Sequence, residues 1–113
     1  MAAPRLGELR ARVQFRRAGV GDDGFSKTDA WADHGIPQRA RRVDVSDSEK
    51  WRAGAVGATI SARFTMRRTD FSAALTPKDR LTHNGQVFEI TGIRALADAP
   101  IYWLEISATA EAD

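Results

Sequence analysis

The sequence predicts a mainly β fold: a small antiparallel β-barrel or sandwich of about six strands, with one short helix or helical loop insertion. Three observations lead there. Thr59–Arg68 alternates strictly, with Ile60, Ala62, Phe64 and Met66 on one side and Thr59, Ser61, Arg63, Thr65 and Arg67 on the other. Asn84-Gly85 sits between two strand-favouring runs, the strongest short-range hairpin signal, because a type I′ turn needs positive φ at both central residues. Short runs of this kind recur between Gly, Asp and Pro clusters, with no long amphipathic helical pattern.

Composition bounds the rest. With 113 residues, 42% apolar and 28% charged, the chain reads as one soluble globular domain with a single core. It has no cysteine, which excludes a disulfide scaffold and thiolate metal sites and fits an intracellular origin. No apolar run approaches the roughly 20 residues of a membrane span, and Met1–Arg5 lacks the apolar run of a signal peptide.

In chain order, residues 1–9 read as a polar, poorly fixed arm with a turn of helix at Leu6–Leu9. Arg12–Arg17 alternates, with Val13 and Phe15 on the buried side. Ala18–Asp29 is a glycine- and aspartate-rich loop. Ala30–Asp33 is a short ordered piece ended by Gly35-Ile36-Pro37, where a proline without an N–H marks an edge or a bend. Gln38–Val45 is a strand whose inner face is ambiguous, since Arg39, Arg41, Val43 and Val45 share one side.

Ser46-Asp47-Ser48-Glu49 fits a capping box, opening a short helix over Asp47–Ala53 that Gly54 and Gly57 would stop. Residues 46–58 therefore read as an inserted lid or loop. Thr69–Lys78 is a loop. In the hairpin that follows, a two-residue turn pairs His83 with Gln86, Thr82 with Val87, Leu81 with Phe88 and Arg80 with Glu89. Leu81, Phe88 and Ile90 then share the buried face. Arg94–Pro100 is a turn region, and Ile101–Thr109 the last strand, with Tyr102, Leu104, Ile106 and Ala108 alternating. Residues 110–113 read as a frayed tail.

Little in the chain carries reaction chemistry. His34 and His83 are isolated and read as solvated surface residues, not zinc ligands. Asp22-Asp23-Gly24 is half a calcium loop without the remaining ligands. No phosphate-binding loop or nucleophile elbow is present. The expectation is a non-enzyme with no cofactor and no metal.

Charge points to partners instead. The net charge of +2 divides into 14 Lys/Arg against 8 Asp/Glu over residues 1–68, and 3 against 7 over 69–113. Such a polar subunit can stack head-to-tail with copies of itself or turn its basic side to DNA. An OB-like nucleic-acid-binding barrel is the alternative. It is disfavoured because alternation sends Phe15, Phe64 and Phe88 to the core, leaving Phe25, Trp31, Trp51, Phe71 and Trp103 scattered.

Several stretches together resemble the head–tail joining (head closure, or stopper) proteins of tailed bacteriophages and phage-derived gene transfer particles. They are Leu9-Arg10-Ala11-Arg12-Val13, then Asp23-Gly24-Phe25-Ser26 with Thr28–Trp31, then Ser48-Glu49 before a small-residue stretch, and the strand Ile60–Met66. The most specific part runs from Leu75-Thr76-Pro77-Lys78-Asp79-Arg80-Leu81 through Asn84-Gly85-Gln86-Val87-Phe88-Glu89-Ile90-Thr91-Gly92-Ile93. Ser26 stands where the family usually has glycine.

The resemblance implies a β-barrel subunit of a homo-oligomeric ring, expected to be a dodecamer. The ring would sit between the portal–adaptor ring above and tail proteins below, around packaged double-stranded DNA, in the neck of a particle assembled in the bacterial cytoplasm, with no membrane partner. It also implies that the 46–58 insertion reaches the channel or the neighbouring subunit through Asp47, Glu49, Lys50, Trp51 and Arg52. The expected contacts with other subunits or neck partners are Phe25, Trp31 and Phe71, with Arg16, Arg41 and Arg67.

Overall fold

The computed structural model describes residues 4–19, 30–45, 59–97, 99 and 101–111. Among these residues there are seven strands: β1 (Ala11–Gly19), β2 (Ala30–Asp33), β3 (Gln38–Asp44), β4 (Thr59–Arg67), β5 (Arg80–His83), β6 (Gln86–Ala95) and β7 (Trp103–Glu111). Helical structure among the described residues is limited to a 3-10 turn at Leu6–Glu8 and one α-turn, α1 (Asp70–Ala73).

Every pairing is antiparallel. The order β1-β3-β4-β7-β6-β5 closes on itself, because β5 returns to pair with β1 through Gln14–Thr82, Phe15–Leu81 and Arg16–Arg80. The fold is therefore a closed six-stranded barrel, which removes the open sheet edges that a sandwich would leave. The seventh strand, β2, lies outside the closed ring and pairs with the distal half of β1. β2 and β3 lie along the same edge of β1. His34 still donates to the Phe15 carbonyl at 2.9 Å, and Gly35–Pro37 then breaks the run.

The expected hairpin forms residue for residue. Asn84 and Gly85 have φ of 52° and 77°, and the four pairs from His83–Gln86 to Arg80–Glu89 are all present. The Arg80–Glu89 ion pair is 3.1 Å long. A bulge at Thr91, between the Ile90–Ala108 and Gly92–Ser107 pairs, lets β6 bend around the barrel.

The core fills the barrel. Val13, Phe15, Ala40, Ala62, Phe64, Met66, Leu81, Phe88, Ile90, Ile106, Ala108 and Ala110 are buried. Apart from Ala40 on β3 and Ala110, they are inward residues that alternation predicts on β1, β4, β5, β6 and β7. Phe64 and Phe88 meet edge-to-face at 5.4 Å, a geometry worth about 0.5–1.5 kcal/mol beyond area burial. A six-stranded barrel is narrow enough for side chains alone to fill.

Four expectations need correction. β7 begins at Trp103, so Tyr102 lies before it, exposed in a turn. Pairing runs on to Glu111, and Ala110 is buried against Ile60, so residues 110 and 111 belong to the sheet and not to a frayed tail. From Pro4 the N-terminal arm is fixed, by the 3-10 turn and by buried Leu9. Thr69–Lys78 is not a plain loop: the Thr69 hydroxyl accepts from the Ser72 N–H at 3.1 Å, and Ser72 Oγ accepts from the Thr69 N–H at 2.8 Å, which starts α1. The capping box expected at Ser46–Glu49, and the helix after it, fall outside the described residues.

Candidate assembly surfaces

The two barrel ends are closed differently. At the hairpin end the inner face of β3 continues past Ala40 to Arg42, which lies opposite Phe64. The Arg42 guanidinium rests 5.2 Å from the Phe88 ring centre and 5.9 Å from that of Phe64. Its Nε donates to Asp44 at 2.8 Å, and Nη1 lies 2.9 Å from Nδ1 of His83. Arginine can only donate, so Nδ1 accepts and the His83 proton sits on Nε2. Burial pushes the His83 imidazole below its usual pKa, the Arg42 charge adds to this, and Asp44 opposes it weakly. His83 also packs edge-on to Phe64 at 5.8 Å. It is a half-buried cover for the core, not the solvated turn-flanking residue that the sequence suggests.

The opposite end is closed by the segment from α1 to β5. Phe71 meets Phe15 edge-on at 6.0 Å and stacks on His34 at 5.0 Å, so His34 is likewise not simply solvated. Gly35, with φ of 73°, lies against the Phe71 ring, leaving no room for a Cβ. Asp79, 2% exposed, accepts from Arg17 Nε at 2.8 Å, Arg17 Nη2 at 2.9 Å and the Thr76 N–H at 2.9 Å. Burial alone would raise the Asp79 pKa; the Arg17 and Thr76 hydrogen bonds and the Arg17 and His34 charges outweigh it and hold the carboxyl below its usual value. The Thr76-Pro77-Lys78-Asp79 stretch is thus a turn clamped to β1.

The outer wall over β2, β1, β5 and β6 carries a row of charge: Asp33, Arg16, Arg80 and Glu89 stand in adjacent register. Arg16 pairs with Asp33 and donates to the Trp31 carbonyl at 2.8 Å. The Arg80 guanidinium sits 4.1 Å from the Trp31 ring centre. A shallow groove runs along this wall between Trp31, Arg16, Arg80, Thr82 and Val87, and Val87 is 52% exposed.

Of the sequence-derived contact candidates, Trp31 and Arg16 therefore share one patch. Phe71 is half-buried against the protein's own core, at the far end. Arg41, 16% exposed, reaches Glu8 at 3.3 Å on the wall of β3. Arg67 is exposed at the end of β4, with its guanidinium 5.8 Å from the Trp103 ring. Phe25 and the insertion residues Asp47, Glu49, Lys50, Trp51 and Arg52 lie outside the described residues. Sequence reasoning missed Arg80 and Val87 as members of the Trp31 patch. The predicted hairpin register already put both on the outer face, and only the β1–β5 closure brings them to Trp31.

The aromatic side chains of Phe15, Phe64 and Phe88 are fully buried, and Trp31 and Trp103 each carry an arginine. No strand among the described residues offers a row of open rings for base stacking. Nor do the described residues bring three or more His, Cys, Asp or Glu together in a metal-binding arrangement.

Comparison with known proteins places this geometry. A structure from Shigella flexneri 2a, solved in solution, matches with a TM-score of 0.67 and 22% identity over 97% of this chain and 99% of that one. A chain of the virion of a native gene transfer agent particle matches with a TM-score of 0.66 and 25% identity, over 97% of this chain and 98% of that one. A search of curated proteins finds no match. The family model described as phage head completion protein matches residues 4–111, which is the barrel together with its N-terminal turn and both of its end closures, and the chain belongs to that family.

Proposed function

We propose that this protein is a structural, non-enzymatic component of the neck of a phage or gene transfer particle. In this reading copies of the chain form a ring, with a dodecamer expected, between the portal–adaptor complex and the tail. The ring closes the head after DNA packaging and gives the tail its docking surface. The observation that carries the reading is the family match across residues 4–111, with the gene transfer agent virion chain as a full-length structural relative.

The geometry agrees with an architectural role. Closure of the six-stranded ring leaves the short β2 as the main strand edge among the described residues, so contacts with partners come mostly from wall side chains and from the loops. The Trp31 patch gives one wall an aromatic anchor inside a ring of paired charges, the composition of a contact surface. In this reading the 46–58 segment, between β3 and β4 in sequence, reaches the channel.

Disrupting the gene in a producing strain tests this. DNA-filled heads that lack tails and lose their DNA are expected. Tailed particles of normal DNA content, made without the protein, would refute the reading. Trimming residues 46–57 to a short glycine linker is expected to keep the ring and the tail but weaken DNA retention.

A further inference from the structure

Among the described residues the barrel twice sets arginines directly opposite each other on adjacent strands: Arg16 and Arg80, each of which has its own carboxylate in Asp33 and Glu89, and Arg12 and Arg39, which have none. The Cα atoms of Arg12 and Arg39 are register partners in the β1–β3 ribbon, and both side chains are exposed on its outer face. Such a pair weakens a sheet, since residues directly opposite have Cβ atoms about 5 Å apart.

Six other arginines find a carboxylate within the chain. Glu8 takes Arg41, Asp33 takes Arg16, Asp44 takes Arg42, Asp79 takes Arg17, Glu89 takes Arg80 and Glu105 takes Arg94. Arg12 and Arg39 make no hydrogen bond or ion pair with any described residue. Two more arginines lie next along the same wall, Arg10 just before β1 and Arg41 on β3, where Arg41 pairs with Glu8.

We infer that the Arg12–Arg39 face of the β1–β3 ribbon binds the phosphate backbone of double-stranded DNA. Guanidinium forks recognise phosphate by paired N–H donation, and a polyanion removes the repulsion that the fold leaves in place. The described surface of a second copy offers few free carboxylates to take this place. Six of the seven carboxylates with described side chains already hold an arginine of their own chain, and the seventh, Asp70, is in the first turn of α1. Contact with backbone alone is independent of base sequence. The inference rests on the neck reading, which places the ring around packaged DNA; it adds the wall that faces the DNA.

The test is a nitrogen-15 NMR titration of the full chain with a 20-base-pair duplex at low salt, with Arg39→Glu as the deciding variant. Wild-type protein is expected to show shifts at the Arg12 and Arg39 side chains and along the β1–β3 ribbon, weakening steeply as salt rises. Neutralising both arginines is expected to lower the slope of log affinity against log salt by about 2.

Arg39→Glu places a carboxylate opposite Arg12. It should raise the denaturation midpoint while abolishing the DNA shifts, a combination that a merely structural arginine would not give. Shifts confined to another face, no shifts at all, or the same shifts on raising protein concentration without DNA would overturn the inference. The last result would make this wall a subunit contact. None of these outcomes bears on whether particles lacking the protein fail to join tails, so the two readings fall separately.

Discussion

Replacing Arg17 by alanine isolates the best-defined electrostatic contact in the protein. Arg17, on β1, grips Asp79 across 62 residues of sequence with two hydrogen bonds of 2.8 and 2.9 Å. Asp79 is 2% exposed, while the Arg17 side chain keeps 42% of its exposure. Removing one partner of a buried pair costs about 3–5 kcal/mol, because the charge left behind has lost its water without compensation. Water reaches the Arg17 side, so the low end, about 3 kcal/mol, is expected. For a domain of this size that is roughly a 12 °C fall in melting temperature.

The same variant has a pH signature. In the wild type the Asp79 carboxyl titrates below its unfolded value, near 3.9, so its contribution is present above that pH and lost as pH falls through the folded pKa. Without Arg17, burial dominates and raises the carboxyl instead, so the gap between variant and wild type should close in acid. Denaturant unfolding of both proteins at neutral pH and near pH 3 measures it. A deficit below about 1 kcal/mol, or one that is equal at both pH values, would refute the clamp.

Three further outcomes are expected. Gly35→Ala forces a Cβ into the Phe71 ring at a positive φ, so it should cost more than about 2 kcal/mol and disturb the Phe15 and Phe71 resonances; near-neutral stability would show that the plug yields. His83 is held neutral below its usual pKa, so the unfolded chain binds its proton first and stability should fall on acidification from about pH 7 through the folded value. Melting temperature followed against pH should lose that slope in His83→Phe; an unchanged slope would count against the Arg42–His83 arrangement. Trp31→Ala should cost the fold only about 1 kcal/mol, for one half-exposed cation–π contact, yet reduce incorporation into particles. Normal incorporation would remove this patch from the neck contacts.

What the chain shows locally and what it shows only when folded divide along a physical line. A side-chain period of two, with an Asn-Gly turn to set the register, suffices to name the buried face of β1, β4, β5, β6 and β7 and to place Arg80 against Glu89. Both are neighbour effects, written within ten residues. The closure of β5 onto β1, the Arg17–Asp79 grip and the seating of Phe71 against Gly35 join residues far apart in sequence, and no local pattern encodes which distant partner a strand will meet. Arg42 is the clearest instance. Alternation left β3 ambiguous because a charged residue reads as outward, whereas in the barrel its alkyl stem and planar guanidinium cover Phe64 and Phe88 at an open mouth while Asp44 and His83 satisfy its donors. Whether an arginine faces water or roofs a core depends on what lies beneath it, and only the assembled barrel supplies that.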